Sequence, residues 1–271
     1  MVKTLKIIFI IGGVIFLLGT CQARDIKLPV IFDTDANNEV DDQFAMGYLL
    51  FSSNAFDLIG ITTNATRNGG GIEGHTKEAE RILRLCNSYG KIKLIPGADK
   101  SFMEIKHFMG ESDFDGYQAV DFIIKESKVQ RKNGMKLNIL AVGKLTNIAL
   151  AIEKDPSITP NIKIVWLGSN YPERGEYNMD DDYPALQYLL ATEVELEIAV
   201  VRYNKPSGTD AVRVSRADIR KKMPGVGPHI KNKVEGRNGG EFDNFGDYSV
   251  NLFMNFHVQR PDSTRALYDM A

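Results

Sequence analysis

Apolar, strand-like runs alternate with amphipathic helical stretches about five times along this 271-residue chain. That alternation constrains the fold more than any other feature. The strand-like runs fall at 29–32, 58–63, 91–95, 136–142, 162–167 and 197–201, and the helical stretches at 42–51, 72–89, 117–127, 145–154 and 183–191. Strand then helix, repeated, predicts an open, mostly parallel α/β sheet with helices on both faces. In such sheets ligands bind at the carboxyl ends of the strands, so the residues leaving each strand are the candidates for chemistry.

The first exit is the most unusual. Behind Val30-Ile-Phe32, the segment from Asp33 to Asp42 holds four aspartates (Asp33, Asp35, Asp41 and Asp42), Glu39 and two asparagines within ten residues. Carboxylates crowded at the end of a buried strand repel one another unless a cation sits among them, and an all-oxygen donor set suits Ca²⁺ or Mg²⁺. A solvated loop capping the next helix through Asp41 or Asp42 is the plainer alternative. The second exit, Thr62-Thr-Asn-Ala-Thr-Arg-Asn68, runs into Gly69 to Gly71, and no Lys-Ser/Thr pair follows to make a P-loop. The third opens a loop over 97–115, long enough for a lid. At the fifth, Asn170, Glu176 and Asn178 supply hydrogen-bonding groups suited to a polyhydroxylated ligand, or to turns. From Arg202 the periodicity loosens. A short basic helix is expected at 216–223, and 224–251 is rich in glycine and asparagine.

The formal net charge of −2 and the absence of a basic cluster give no footprint for nucleic acid. His75 and His107 lack a second histidine or cysteine at metal-ligand spacing, which argues against zinc. Lys3 and Lys6, the uncharged run from Ile7 to Leu18 and the small residues to Ala23 form the pattern of an export signal over 1–23, leaving one domain over 24–271. Its processing is open between cleavage after Ala23, lipid attachment at Cys21 within Leu18-Gly-Thr-Cys21, and an uncleaved anchor. The implied location is periplasmic or lipid-anchored at a bacterial cell envelope. Cys86, at helical spacing with Ile82, is expected to be a buried thiol.

Asp33-Thr-Asp35 with Asp41-Asp42, then Val142-Gly-Lys-Leu-Thr-Asn-Ile-Ala149, then Asn170 ahead of Glu176-Tyr-Asn178, and a closing Tyr268-Asp269 together resemble the inosine–uridine-preferring nucleoside hydrolases. The resemblance runs from about residue 28 onward. It implies a nucleoside hydrolase-like α/β fold, a bound Ca²⁺, a nucleoside substrate, and hydrolysis of the N-glycosidic bond to ribose and free base, often in a homo-oligomer. Position by position, it implies Asp35 as Ca²⁺ ligand and general base, with Asp42, the carbonyl of Val142 and Asp269 completing the ligands. It places Asp41 and Asn178 at the 2′- and 3′-hydroxyls and Asn170 and Glu176 near the 5′-hydroxyl. Asn64 matches the family's asparagine after the second strand, with Asn68 as its rival.

Three departures stand out. Five residues, Ala36 to Val40, separate Asp35 from the Asp-Asp pair where the family usually has three. Tyr268 stands where many members carry a histidine thought to help the base depart. The family normally continues for tens of residues beyond the last aspartate, so either a chain truncated at its C-terminus or a missing C-terminal cover is expected. Two other functions compete. One is a non-catalytic sugar- or nucleoside-binding protein of the same fold. The other is a phosphatase of the haloacid dehalogenase type, suggested by Phe32-Asp-Thr-Asp-Ala36 alone.

Overall fold

A strand that is apolar on both faces needs cover on both, and Val30, Ile31 and Phe32 are all buried. The computed structural model describes residues 27–256 and 264–270. In it the chain runs β1 (Leu28–Thr34), α1 (Asp41–Phe51), β2 (Phe56–Thr63), α2 (Gly71–Leu85), β3 (Lys93–Ile95), α3 (Phe102–Lys106), α4 (Tyr117–Lys132) and β4 (Leu137–Ala141). It continues through α5 (Thr146–Lys154), β5 (Ile162–Leu167), α6 (Tyr177–Asp181), α7 (Tyr183–Leu190) and β6 (Glu195–Ala199). Two further helices follow, α8 (Arg216–Lys222) and α9 (Phe245–Asn255). The six strands form one sheet in the order β3-β2-β1-β4-β5-β6, every pairing parallel.

The order reverses at β1. The chain winds outward from β1 to β2 and β3, then returns to β4 on the other side of β1. Connections leaving β1 and β4 therefore diverge, and a crevice opens where their carboxyl ends lie side by side. The acidic segment leaves β1 at that point, and Val142-Gly-Lys leaves β4 beside it, with Val142 N donating to Asp33 O at 2.9 Å.

The two faces are covered unequally. Ile31, Ile139, Ile164 and Trp166 pack beneath α3, α4, α5 and α7 in one continuous apolar layer. Phe32 and Ile61 on the opposite face meet Phe44 and Met46 of α1, Ile82 of α2 and Phe253 of α9. Over β4 to β6 that second layer thins into an apolar groove of about 420 Å³ lined by Phe32, Tyr48, Leu140, Val165, Leu167 and Met270.

Several expectations need revision. The loop over 97–115 is no free lid: Phe102, Ile105 and Phe114 are buried in the first apolar layer, and α3 carries a Ser101/Glu104 capping box. Buried Lys144 also ties it down, its ammonium donating to the carbonyls of Asp99 at 2.9 Å and Lys100 at 2.8 Å. β6 lies two residues earlier than expected, and α2 stops at Leu85, with Asn87 in the left-handed region at φ 53°. The stretch 224–251, rich in glycine and asparagine, contains the start of α9. Asn244 caps that helix by accepting from Asp247 N at 2.8 Å, and Phe245, Tyr248, Leu252 and Phe253 form its buried stripe. Cys86 is buried, and burial pushes its thiol up to about 12. The export signal and Cys21 lie outside the described residues. Among the described residues, no helix is long and apolar enough to cross a membrane.

Candidate functional site

The end of β1 splits its aspartates between two environments. Side chains two apart on a strand share a face, yet Asp33 and Asp35 meet different neighbours. Asp33 is fully buried and accepts from Thr62 Oγ1 at 2.5 Å, Asn64 Nδ2 at 2.7 Å and Asn147 Nδ2 at 2.8 Å. Burial pushes its carboxyl up to about 6, while the three donors pull the other way. It joins β1, β2 and α5 and is not among the residues that line the cavity at the strand ends.

Asp35 faces the crevice. Its Oδ2 accepts from Thr66 Oγ1 at 2.5 Å and Asn38 Nδ2 at 2.8 Å. Its Oδ1 is buried with no hydrogen-bond partner among the described residues. Burial pushes Asp35 up to about 6, with Thr66 and Asn38 opposing and the charge of Asp41 adding to the rise.

Asp41 and Asp42 begin α1, where the helix N-terminus favours negative charge. Asp269 arrives from the far end of the chain, and one oxygen from each of Asp41, Asp42 and Asp269 lies within 4.8 Å of the others. Asp42 also accepts from the Thr34 hydroxyl, and Asp41 Oδ2 from Tyr268 N at 3.0 Å. Asp42 and Asp269 are raised well above the ordinary carboxylate range, first by burial and then by neighbouring carboxylates. Asp41 is raised by burial, with Arg265 opposing. Glu39, ion-paired to Arg265, is pushed up to about 7 by burial and by the charge of Asp41. Like charges held this close prefer to be protonated unless a cation replaces the protons. The orphaned Asp35 oxygen and the all-oxygen cluster beside it fit a hard divalent ion.

These groups line one cavity of about 180 Å³. It brings together Asp35, Asp41, Asp42, Val142, Glu176, Asn178 and Asp269. Asn178 donates to the carbonyls of Val142 at 2.7 Å and Leu167 at 3.1 Å, bridging the ends of β4 and β5. Both amide protons are thereby committed, which leaves its own carbonyl oxygen to accept. Glu176 caps α6 by accepting from Asn178 N at 3.1 Å and Met179 N at 2.9 Å, and burial raises it.

Asn64 and Asn170 stand behind the wall rather than on it. Asn64 is fully buried, donating to Asp33 and accepting from Lys144 N at 3.2 Å. It sits so close that a Cβ on Gly143 would lie 2.6 Å from its Oδ1, so only glycine fits there. Asn170 accepts from Tyr203 N at 2.9 Å and fixes the turn after β6. Asn68 offers its backbone, its N donating to Tyr177 Oη at 3.1 Å.

Asn38, Tyr177 and Tyr203 also line the cavity without having been candidates from the sequence, and they join Glu39 of the acidic segment and Tyr268, so that Tyr177, Tyr203 and Tyr268 form an aromatic side. Tyr203 follows the sixth strand exit directly, a signal that the same exit rule would have caught. Tyr268 meets Tyr203 edge to face with centroids 5.8 Å apart. Its hydroxyl donates to Asp210 Oδ1 at 3.1 Å, and burial beside that carboxylate raises it above the ordinary tyrosine value. A family model described as inosine-uridine preferring nucleoside hydrolase matches residues 30–251. The non-specific ribonucleoside hydrolase RihC of Salmonella paratyphi A is 28% identical over 189 residues, 63% of this chain and 60% of that protein. An uncharacterized protein of Schizosaccharomyces pombe is 26% identical over 227 residues, 75% of this chain and 70% of that one. Among solved structures, a plant nucleoside hydrolase superposes with a TM-score of 0.64 at 20% identity, over 90% of this chain and 76% of that one. The purine-preferring ribonucleoside hydrolase from Gardnerella vaginalis gives 0.61 at 21% identity, over 89% and 77%. Both share this fold.

Proposed function

The chain belongs to the inosine-uridine preferring nucleoside hydrolase family, and on that premise we propose that it hydrolyses the N-glycosidic bond of ribonucleosides with Ca²⁺ as its resident cation. The observation that carries the proposal is the cavity itself, where Asp35, Asp41, Asp42 and Asp269 converge from both ends of the chain onto the switch point of the sheet. The RihC relative, named for ribonucleoside hydrolysis, supports the same substrate class. This chain spans 60% of its length.

Asp35 through Oδ1, Asp42, Asp269 and the carbonyl of Val142 would hold the cation. When bound, it supplies positive charge that offsets the carboxylates and lowers the pKa of water. Asp41 and the free carbonyl oxygen of Asn178 accept hydrogen bonds from ribose hydroxyls and fix the sugar. Asp35 takes the proton of the attacking water as the C–N bond breaks and its electron pair leaves with the base. Positive charge developing on the sugar is stabilised by the acidic cradle. Tyr268 is a poor acid for the departing base, because its proton is committed to Asp210.

Ribose release from a panel of ribonucleosides, with and without chelator and with binding titrated in parallel, tests the proposal. Release that chelation abolishes is expected. Binding without release would instead identify a non-catalytic nucleoside-binding protein. The pattern of residues 1–23 supports export to the cell envelope, by cleavage after Ala23 or acylation at Cys21. The intact mass of the mature protein checks it, and a retained Met1 would remove that reading.

A further inference from the structure

Asp35 has two oxygens in different situations, and the residues that make them different have no assigned role. Thr66 leaves β2 and Asn38 belongs to the lengthened loop after Asp35. The Thr66 hydroxyl has one proton, and it is donated to Asp35 Oδ2 at 2.5 Å. The Tyr177 hydroxyl has one proton, and it is donated to Thr66 Oγ1 at 3.3 Å. Tyr177 Oη in turn accepts from the Asn68 backbone N–H at 3.1 Å. Hydrogen bonds therefore run one way, from Asn68 through Tyr177 and Thr66 to Asp35. Asn38 Nδ2 donates to the same Oδ2 at 2.8 Å.

The loop carrying Asn38 is itself held from outside. Arg237 donates to Asn37 O at 3.0 Å and to Glu39 O at 2.8 Å, and Asn37 Nδ2 donates to Gly69 O at 2.7 Å. The extra length is thus a fixed wall.

We propose that Thr66 and Asn38 are positioning residues that commit Asp35 Oδ2 as a doubly bonded acceptor and present Oδ1, the unpartnered oxygen, to the cation and the attacking water. The proposal rests on the hydrolase reading given above. Tyr177 lines the cavity, so a ligand against its ring bears on the same set of bonds.

The test is Thr66→Val, which keeps the shape and removes the hydroxyl, with Thr66→Ser as rescue and Asp35→Asn as control. Supporting residues of this kind typically affect activity or metal affinity 10- to 100-fold. In Thr66→Val, kcat is expected to fall about 10- to 100-fold while KM moves less than about threefold. Calorimetric titration with Ca²⁺ alone, without substrate, is expected to show affinity about tenfold weaker. Thr66→Ser restores both. Wild-type kcat and Ca²⁺ affinity in Thr66→Val, with Asp35→Asn inactive, would overturn the positioning role and leave the hydrolase reading intact. A loss in Thr66→Val that tracks a lowered melting temperature and that Thr66→Ser fails to restore would equally overturn it. Full turnover by Asp35→Asn would instead remove the hydrolase mechanism itself.

Discussion

Asp33 and Asp35 leave the same strand two positions apart, both buried and both pushed up to about 6, yet their surroundings are opposites. Around Asp33 stand three donors from β2, its exit and α5. Around Asp35, two donors serve one oxygen while the other is buried without a partner among the described residues, in a side chain that lines the same cavity as Asp41, Asp42 and Asp269. A buried carboxylate satisfied by fixed donors is a structural joint, whereas one left facing other carboxylates needs something mobile and positive.

The largest expected effect separates the pair by activity. Asp35→Asn should lower kcat by about 10³-fold, the range for removal of a general base, without lowering the melting temperature of the cation-free protein. Ribose-release kinetics beside a thermal melt checks both, and near-normal kcat would break the contrast. Asp33→Asn should do the reverse. It turns an acceptor into a group that must confront three donors, with a loss of about 3 kcal/mol and activity surviving in the fraction still folded. Denaturant titration measures it.

The pH dependence sharpens the comparison further. Asp33 and Asp35 are raised to about 6 and Glu39 to about 7. A carboxyl raised on folding adds stability that is fully present below its unfolded pKa and lost as pH rises through the folded value. With chelator present, melting temperature should fall between pH 5 and pH 8, by on the order of 5 °C. Added Ca²⁺ should raise it more at pH 8 than at pH 5, because the cation answers ionised carboxylates. Scanning fluorimetry at both pH values decides, and a chelated protein that is more stable at pH 8 would contradict the arrangement. The smallest effect concerns the tyrosine at the cavity's aromatic side. Tyr268→Phe should change kcat by less than about threefold and stability by about 1 kcal/mol, the worth of its bond to Asp210. A tenfold or greater loss in kcat would return the hydroxyl to the chemistry.

The sheet was legible because each strand is a short apolar run followed by a helical period, and both patterns are local. The last third was harder to read, since α9 is preceded by glycines and its stripe is short, although Asn244 was a visible cap. In the site, the exit rule brings Asp35, Asp41, Asp42 and Asn178 to the cavity. It does not separate wall from support, which is why Asn64 and Asn170 turned out to lie behind. That distinction depends on partners far away in sequence, such as Lys144 for Asn64 or Arg265 for Glu39, and no window of sequence contains both members of such pairs.

The contact of Tyr268 N with Asp41 joins positions 227 apart, beside the oxygens of Asp42 and Asp269. An ion gripped there would act as a clasp on a very long loop. Closing such a loop is entropically more expensive than closing a short one, though the penalty grows only logarithmically with length. A cation held by Asp41, Asp42 and Asp269 would therefore need the sheet to have brought these distant segments together, so its affinity is expected to fall as the sheet unfolds.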